Sequence, residues 1–361
     1  MIGCVVRAAG DNLSPLRYCA DGKNIRDVKM SEKGERQVAE RACIDLIIPV
    51  FNSKQFMPGM LESIERQTYK DFRVIFVDDG SSDGTYEWLE ETLKAVSFRY
   101  LLLSEKNRGP SAARNLGMKN ADADWIAFSD SDDVLSDEYF EYLYKAVESG
   151  SPQMGFCRLE TVRPGEQPRR REREELSFEV ISAAEAMKKH YTNWIAPVSL
   201  ILNREWVAEN GLMYDEKCRY CEDLIFITDC IDAAVCVSEI KNDLYINIIR
   251  STSLLRTSGT LKYREGIEAF ERLEERMKKS NTAAAAEFRC RGKARFVLAT
   301  FRRAALQLNS FKEFKSFTKE FHYEDCSGQA KNLSKKWKTA SRLYNASKLG
   351  FYLVVRAVFS D

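Results

Sequence analysis

The sequence predicts an α/β protein, a mostly parallel sheet with helices on both faces, followed by a helical C-terminal appendage. Three observations carry this. From residue 44 onward, short apolar runs rich in β-branched residues alternate with segments of helical periodicity across short connections, the pattern of a parallel sheet covered on both sides. Each apolar run ends in a polar cluster, as strands do when their carboxyl ends converge on one ligand crevice. After about Lys262 the apolar spacing is helical throughout.

Residues 1–43 alternate polar and small residues without sustained periodicity and predict an extension that is either loosely ordered or packed late onto the body. CIDLIIPVF, residues 43–51, reads as a strand; after the loop NSKQF, Pro58 starts a helix with Met60, Leu61 and Ile64 on one face. RVIFVDDGSSDGT is a second strand and its turn, TYEWLEETLKAV a second helix, FRYLLLSEKN a third strand, SAARNLGMKNA a third helix and DWIAFSDSDD a fourth strand. In the C-terminal region Phe270, Leu273 and Met277 keep helical spacing, as do Phe296, Phe301 and Ala305.

A chain of 361 residues, 44% hydrophobic and 11% aromatic, is globular and large enough for one large or two medium domains. From Ala283 onward 16 basic residues stand against 6 acidic ones, while the preceding residues hold 39 and 48, so an acidic body carries a basic tail. Ten irregularly spaced cysteines and the absence of a leader pattern fit a reduced cytoplasmic protein. Cys218 and Cys221 have zinc-like spacing without a second pair, and the two histidines, His190 and His322, lie in no motif. No apolar run reaches the ~18 residues of a membrane span. Neither GxGxxG nor GxxxxGK[ST] follows a strand, which excludes the common dinucleotide and P-loop classes. DGSSDGTYEWLE has calcium-loop spacing from Asp79 to Glu90, but an apolar strand precedes it where an EF-hand requires a helix.

The pattern that asks most of the fold is IAFSDSDD, with Asp130, Asp132 and Asp133 crowded at a strand end. Like charges so placed raise one another's pKa unless a cation or hydrogen-bond donors offset the repulsion; the alternative is a set of surface aspartates capping the helix that begins near Asp137.

DLIIPVFNSKQF through VDDGSSDGT, then NRGPSAARNLGMKNADADWIAFSDSDD, then CEDLIF resemble a family 2 glycosyltransferase with the GT-A fold, a Rossmann-like sheet, of the kind found in bacterial capsule and exopolysaccharide assembly. The resemblance covers about residues 44–255. It implies a GT-A domain over 44–262, between the extension 1–43 and a helical basic region 263–361, and an inverting, metal-dependent hexosyltransferase that uses a UDP-sugar. The Asp130-Ser131-Asp132 motif would hold Mn²⁺ or Mg²⁺ on the donor diphosphate, with Asp132 the usual direct ligand. Asp79 would read uracil and Pro49 abut it; Asp78 either joins that contact or supports the turn. Asn107 and Arg114 would reach the nucleotide, Arg114 being otherwise a solvated helix residue. Glu222 and Asp223 match the family's acidic pair, Asp223 as general base with an N-cap as its plainer role. Arg250 and Ser253, in YINIIRSTSLLR, match a phosphate-binding lid, though this stretch lacks the family's His.

The acceptor implied is a saccharide or lipid-linked saccharide in cell-surface polysaccharide synthesis. Lys331, Lys335, Lys336, Lys338, Arg342 and Lys348 beside Trp337, Leu343, Tyr344 and Phe351 suit either an anionic membrane surface at the inner face of the cell membrane or a packed helix with a solvated basic face. No nucleic-acid recognition module accompanies the basic tail. A catalytically silent assembly subunit is the second function class.

Overall fold

The structure, a computed structural model of the chain, describes residues 17–18, 24–27, 42–148, 152–163, 166, 173–218, 220–249, 261–319 and 323–359. The strands are β1 (Arg17–Tyr18), β2 (Asn24–Asp27), β3 (Ile44–Val50), β4 (Phe72–Asp78), β5 (Arg99–Ser104), β6 (Trp125–Phe128), β7 (Val134–Leu135), β8 (Met154–Val162), β9 (Phe178–Ser182), β10 (Leu200–Asn203) and β11 (Cys236–Ile248). The α-helices are α1 (Met57–Glu65), α2 (Thr85–Thr92), α3 (Pro110–Asn120), α4 (Tyr139–Lys145), α5 (Ala183–Asn193), α6 (Arg204–Glu209), α7 (Glu222–Ala233), α8 (Leu261–Lys279), α9 (Ala283–Gln307), α10 (Phe311–Thr318), α11 (Lys335–Ala346) and α12 (Lys348–Phe359).

The chain divides into two units, the first formed by Met1–Glu179, Pro197–Glu216 and Ser238–Ile249, the second by Val180–Ala196, Lys217–Val237 and Arg250–Asp361. In the first, β5, β4, β3 and β6 lie side by side and parallel. Ile44, Leu46, Ile47, Ile48 and Val50 of β3 are fully buried, as a strand covered on both faces must be. Beyond β6 the sheet turns antiparallel through β10 and β8, and β7 pairs antiparallel with β11. At the other edge β2 pairs antiparallel with β5 and β1 with β2, so part of the 1–43 extension covers a sheet edge that would otherwise be open.

Pro49 is tolerated inside β3 for a definable reason. Val50 O accepts from Asp79 N on the β4 side, while Ile47 O accepts from Ser129 N on the β6 side. Backbone directions alternate along a strand, so Pro49 faces the β6 side, and the pairing with β6 ends at Ile47. A residue without an N–H costs no ladder bond there.

The buried Asp45 of β3 ties the opposite end of the sheet. Its Oδ1 accepts from Arg73 Nε (2.7 Å), and its Oδ2 accepts from Arg73 Nη2 (2.9 Å), Asp122 N (2.9 Å) and Ala123 N (3.0 Å). Asp45→Ala leaves the Arg73 guanidinium and two backbone donors without that partner. We expect a loss of about 3–5 kcal/mol in urea unfolding; a loss under about 1 kcal/mol would show that water replaces the carboxylate freely.

The second unit is helical, and its helix starts are written locally. Ser182, Thr282 and Ser310 each accept a hydrogen bond from the backbone N–H three residues on, the N-cap that satisfies an orphan donor of the first turn. Its core is aromatic: Phe270 and Phe296 stack with centroids 4.1 Å apart, and Phe301, Tyr323, Tyr344 and Phe351 cluster around one another. The helical residues picked out by spacing, Phe270, Leu273, Met277, Phe296, Phe301 and Ala305, are all buried. This unit also takes α5 and α7, which lie inside the stretch the sequence assigns to the sheet domain, because both pack on α9. The basic stretch resolves into α11 and α12: Trp337, Tyr344 and Phe351 are buried while Lys335, Lys336 and Arg342 are exposed, so its aromatic residues belong to the helical core.

Candidate active site

The carboxyl ends of β3, β4, β5 and β6 reach the same end of the sheet, and the predicted polar clusters follow directly from them. Asp79 is buried just past β4. Its Oδ1 accepts from Arg108 N (2.7 Å) and its Oδ2 from Gly109 N (2.8 Å), so the carboxylate pins the loop between β5 and α3. Burial pushes its pKa up while these two backbone donors pull it down. The loop comes so close that Gly80, at φ 72°, has no room for a side chain: a Cβ there would stand 2.8 Å from Asn107 N. The Asn107 side chain is exposed.

Asp78 is likewise buried, and burial raises its pKa. Its Oδ2 accepts from Ser81 N (3.2 Å), whereas Oδ1 is buried with no hydrogen-bond partner. A buried acceptor without a partner carries a desolvation cost that a ligand donor would remove. Nearby on the chain, Pro49 is half-buried and Phe51 is 42% exposed, an aromatic face at a strand end suited to stacking on a planar base. A shallow cavity of about 600 Å³ is lined by Lys54, Ser81, Ser82 and Gly84 of the loops after β3 and β4 and by Glu87 and Trp88 of α2.

The carboxylates after β6 have distinct partners. Asp130 Oδ1 accepts from Arg114 Nη2 at 2.9 Å. Arg114 is 4% exposed on α3, 5.3 Å over the Tyr214 ring, so it is a buried ion-pair partner and not a solvated helix residue. Ser131 is buried and bonds Ser53 Oγ at 2.7 Å, joining this turn to the loop after β3. Asp132 is half-buried. Asp133 is buried; its Oδ2 accepts from the Tyr245 hydroxyl (2.9 Å) and its Oδ1 from Ile248 N (2.8 Å). Burial, then the charge of Asp130, pushes the Asp133 carboxyl up to about 8, with Asp132 adding to the rise. The Tyr245 hydroxyl also accepts from Asp130 N at 3.0 Å. The aspartates are thus held in a turn by β11 and α3 and do not cap the helix near Asp137, whose N-cap position is Glu138 with no side-chain cap.

Sequence reasoning missed Asp133 and Tyr245 as the brace of this turn, and also Glu105, Arg108 and Glu216. Arg108 pairs with Glu105 (3.5 Å) and with Glu216, which in turn accepts from Asn115 Nδ2 (3.1 Å).

Asp130 and Asp132 both lie close enough to Asp133 to raise its pKa, and hard carboxylate oxygens gathered in this way are the donor type that would suit a divalent cation. Among the described residues no three His, Cys, Asp or Glu side chains converge on one point, so a cation there would complete its shell from substrate phosphate and water.

Glu222 and Asp223 open α7 in the second unit. The N-cap position is Cys221, at φ 61° and without a side-chain cap bond, so Asp223 stands in the first turn and is not the cap. Cys218 and Cys221 are free thiols, with Cys221 pushed up by burial and by Cys218, the opposite of the depressed pKa a reactive or metal-bound cysteine shows. His190 is fully buried, and burial, with Arg295 nearby, drives it down to about 3. His322, Arg250 and Ser253 lie outside the described residues.

The family model described as "Glycosyl transferase family 2" matches residues 45–208. Over these residues the chain is a family 2 glycosyltransferase domain. Relatives of this domain include the glycosyltransferase GlyA of Streptococcus pneumoniae, 38% identical over 104 residues, which are 29% of this chain and 15% of GlyA. The uncharacterized glycosyltransferase EpsJ of Bacillus subtilis is 28% identical over 207 residues, 56% of this chain and 60% of EpsJ. The chain therefore spans less than two thirds of either relative. The fold is that of the GT-A glycosyltransferases: S. aureus TarS 1–349, crystallised with UDP-GlcNAc, superposes with a TM-score of 0.64 over 88% of this chain and 91% of that one, at 17% identity. Among the described residues no helix is long and apolar enough to cross a membrane.

Proposed function

We propose that the protein transfers a sugar from a UDP-sugar, with inversion, to a saccharide or lipid-linked saccharide acceptor of bacterial cell-surface polysaccharide. The observation that carries this reading is the braced turn after β6, where Arg114, Tyr245 and the Ile248 amide hold Asp130 and Asp133 and leave a carboxylate site at the crevice end of the sheet. TarS binding UDP-GlcNAc makes UDP-sugars the first donors to test.

In this reading Asp78 and Asp79, with Pro49 and Phe51, form the base site, and Asn107 and Arg114 lie on the nucleotide side. Asp130 and Asp132 would hold Mn²⁺ or Mg²⁺, which supplies charge neutralisation for the departing UDP. Arg114 fixes the Asp130 carboxylate, and Ser131 fixes the turn to the loop after β3. Asp223 takes the proton from the acceptor hydroxyl, Glu222 binds acceptor hydroxyls, and Arg250 and Ser253 contact phosphate. The experiment is a screen of sugar nucleotides for UDP release with and without Mn²⁺ or Mg²⁺. Cation-dependent release from a UDP-sugar is expected; no release from any donor would favour the silent assembly subunit.

The place of work we assign is the cytoplasmic face of the membrane. Lys335, Lys338 and Arg342 of α11 are accompanied by no acidic residue on α11 or α12, and α12 exposes Leu349, Leu353, Val354 and Val358. Basic charge beside exposed aliphatic side chains suits an anionic lipid surface. Because Trp337, Tyr344 and Phe351 are core residues, deleting the stretch would damage packing, so the test is Leu353→Glu with Val358→Glu. Cosedimentation with phosphatidylglycerol vesicles should fall roughly tenfold, given the apolar area withdrawn from lipid and the charge added. Equal sedimentation of the variant and the parent would sink the assignment.

A further inference from the structure

Arg295, on α9 of the helical unit, is a charged residue that is buried without an anionic partner among the described residues. It is 7% exposed, and its Nε and Nη1 are buried with no hydrogen-bond partner. Its guanidinium carbon lies 4.0 Å over the Trp337 ring and 5.0 Å over the Trp194 ring. Such contacts engage the positive charge and fix the side chain, but leave its N–H donors unused. A buried guanidinium normally forms a bidentate pair with a carboxylate or phosphate, and no ion pair of Arg295 occurs among the described residues.

More positive charge surrounds it. Arg302 follows seven residues on, two turns along the same face of α9, and is half-buried. Arg303 lies beside it, its guanidinium carbon 5.4 Å over the Tyr220 ring. Lys336 is exposed on α11, next to the Trp337 that covers Arg295. Burial, with Arg302 and Arg303, pushes the Arg295 pKa down to about 10, and burial first, then Arg302 and Arg295, push Lys336 down. Cations that destabilise one another in this way are relieved by a bound anion.

We propose that the helical unit carries an oxyanion site, with Arg295 as its buried fork and Arg302, Arg303 and Lys336 around it, that takes a phosphate group. Two N–H donors on one guanidinium plane, with further cationic groups around it, match a phosphate better than a lone carboxylate. Its assignment to a phosphate carried by the acceptor rests on the glycosyl-transfer reading; the site itself does not.

The test uses the full chain saturated with UDP, so that the nucleotide site is filled. Inorganic pyrophosphate and, separately, monomeric dihexanoyl phosphatidylglycerol are titrated by calorimetry into the parent, Lys336→Ala and Arg302→Gln. These two variants leave the buried Arg295 in place, and their melting temperatures report folding. Loss of a charge-assisted phosphate contact should weaken binding about tenfold. Binding of pyrophosphate that the variants lose identifies a soluble phosphate group as the ligand, and the same result with the lipid identifies a headgroup; either outcome upholds the site. Binding of neither probe, or equal binding by parent and variants with native melting, overturns it. UDP binding measured on the same samples separates failure of the glycosyltransferase reading, seen as no UDP binding, from failure of this site.

Discussion

Asp132→Asn is expected to remove cation-dependent glycosyl transfer while leaving the fold intact. The substitution replaces a hard anionic oxygen ligand by a neutral amide of nearly the same size at a half-buried turn position. If Asp132 is the direct ligand, the electrostatic stabilisation of the leaving diphosphate goes with the cation, and turnover should fall by at least about 10²-fold. Calorimetry supplies the decisive comparison. The parent should bind UDP more tightly with Mn²⁺ than without, and the variant should lose that difference while keeping its cation-free affinity. Unchanged cation-assisted UDP binding would show that Asp132 is not a ligand.

The neighbouring Asp133→Asn separates the structural from the chemical role of the cluster. Asp133 accepts from both Tyr245 and the Ile248 amide, and an Asn can offer an acceptor oxygen to only one of them. We expect about 1–3 kcal/mol of lost stability in denaturant unfolding, in contrast to Asp132→Asn. Equal melting of the two variants would mean that the brace does not hold the turn.

How far the sequence revealed this site depends on whether the physics was local. The strand ends were legible, since β3, β4, β5 and β6 are short apolar runs that stop at polar residues, and parallel order follows from the intervening helices. Gly80 and the Asp79 turn were visible as turn chemistry, but the partners of Asp79 were not: its two acceptors are engaged by the Arg108 and Gly109 amides, some thirty residues on. Arg114 could be read as solvated because α3 alone does not reveal that Tyr214 and Asp130 enclose it. Tyr245 is more than a hundred residues from Asp133 and sits in a strand whose pattern signals only burial. The antiparallel turn of the sheet through β10 and β8 left no trace in the alternation either, since these strands follow no regular strand-helix repeat. The departure of α5 and α7 into the helical unit likewise depends on α9, which the chain supplies only after residue 282.

The second large effect is expected at Asp223. Inverting displacement brings the acceptor hydroxyl to the anomeric carbon from the face opposite UDP, and the hydroxyl must lose its proton on that side. His190 cannot serve, being fully buried and driven down to about 3. Of the carboxylates at the ends of β4 and β6, Asp79 is engaged with the Arg108 and Gly109 amides, Asp130 with Arg114 and Asp133 with Tyr245 and Ile248, while Asp78 and Asp132 are assigned to the base site and the cation. Asp223 stands in the first turn of α7 without being its cap, so its plainer role there is a favourable interaction with the helix dipole, worth about 0.3–1 kcal/mol. The two roles predict different damage. Loss of the dipole interaction alone lowers the melting temperature slightly and barely touches turnover, whereas loss of a general base costs on the order of 10²–10⁴ in rate. Asp223→Asn should therefore bind UDP and cation as the parent does, melt within a few degrees of it, and transfer sugar at least about a hundredfold more slowly. Nucleophile rescue adds a second check: azide, which attacks without giving up a proton, should form glycosyl azide in the variant at a rate close to the parent's. Transfer to the natural acceptor at near-parent rates would falsify the base assignment, and loss of the azide reaction together with transfer would place Asp223 in donor binding.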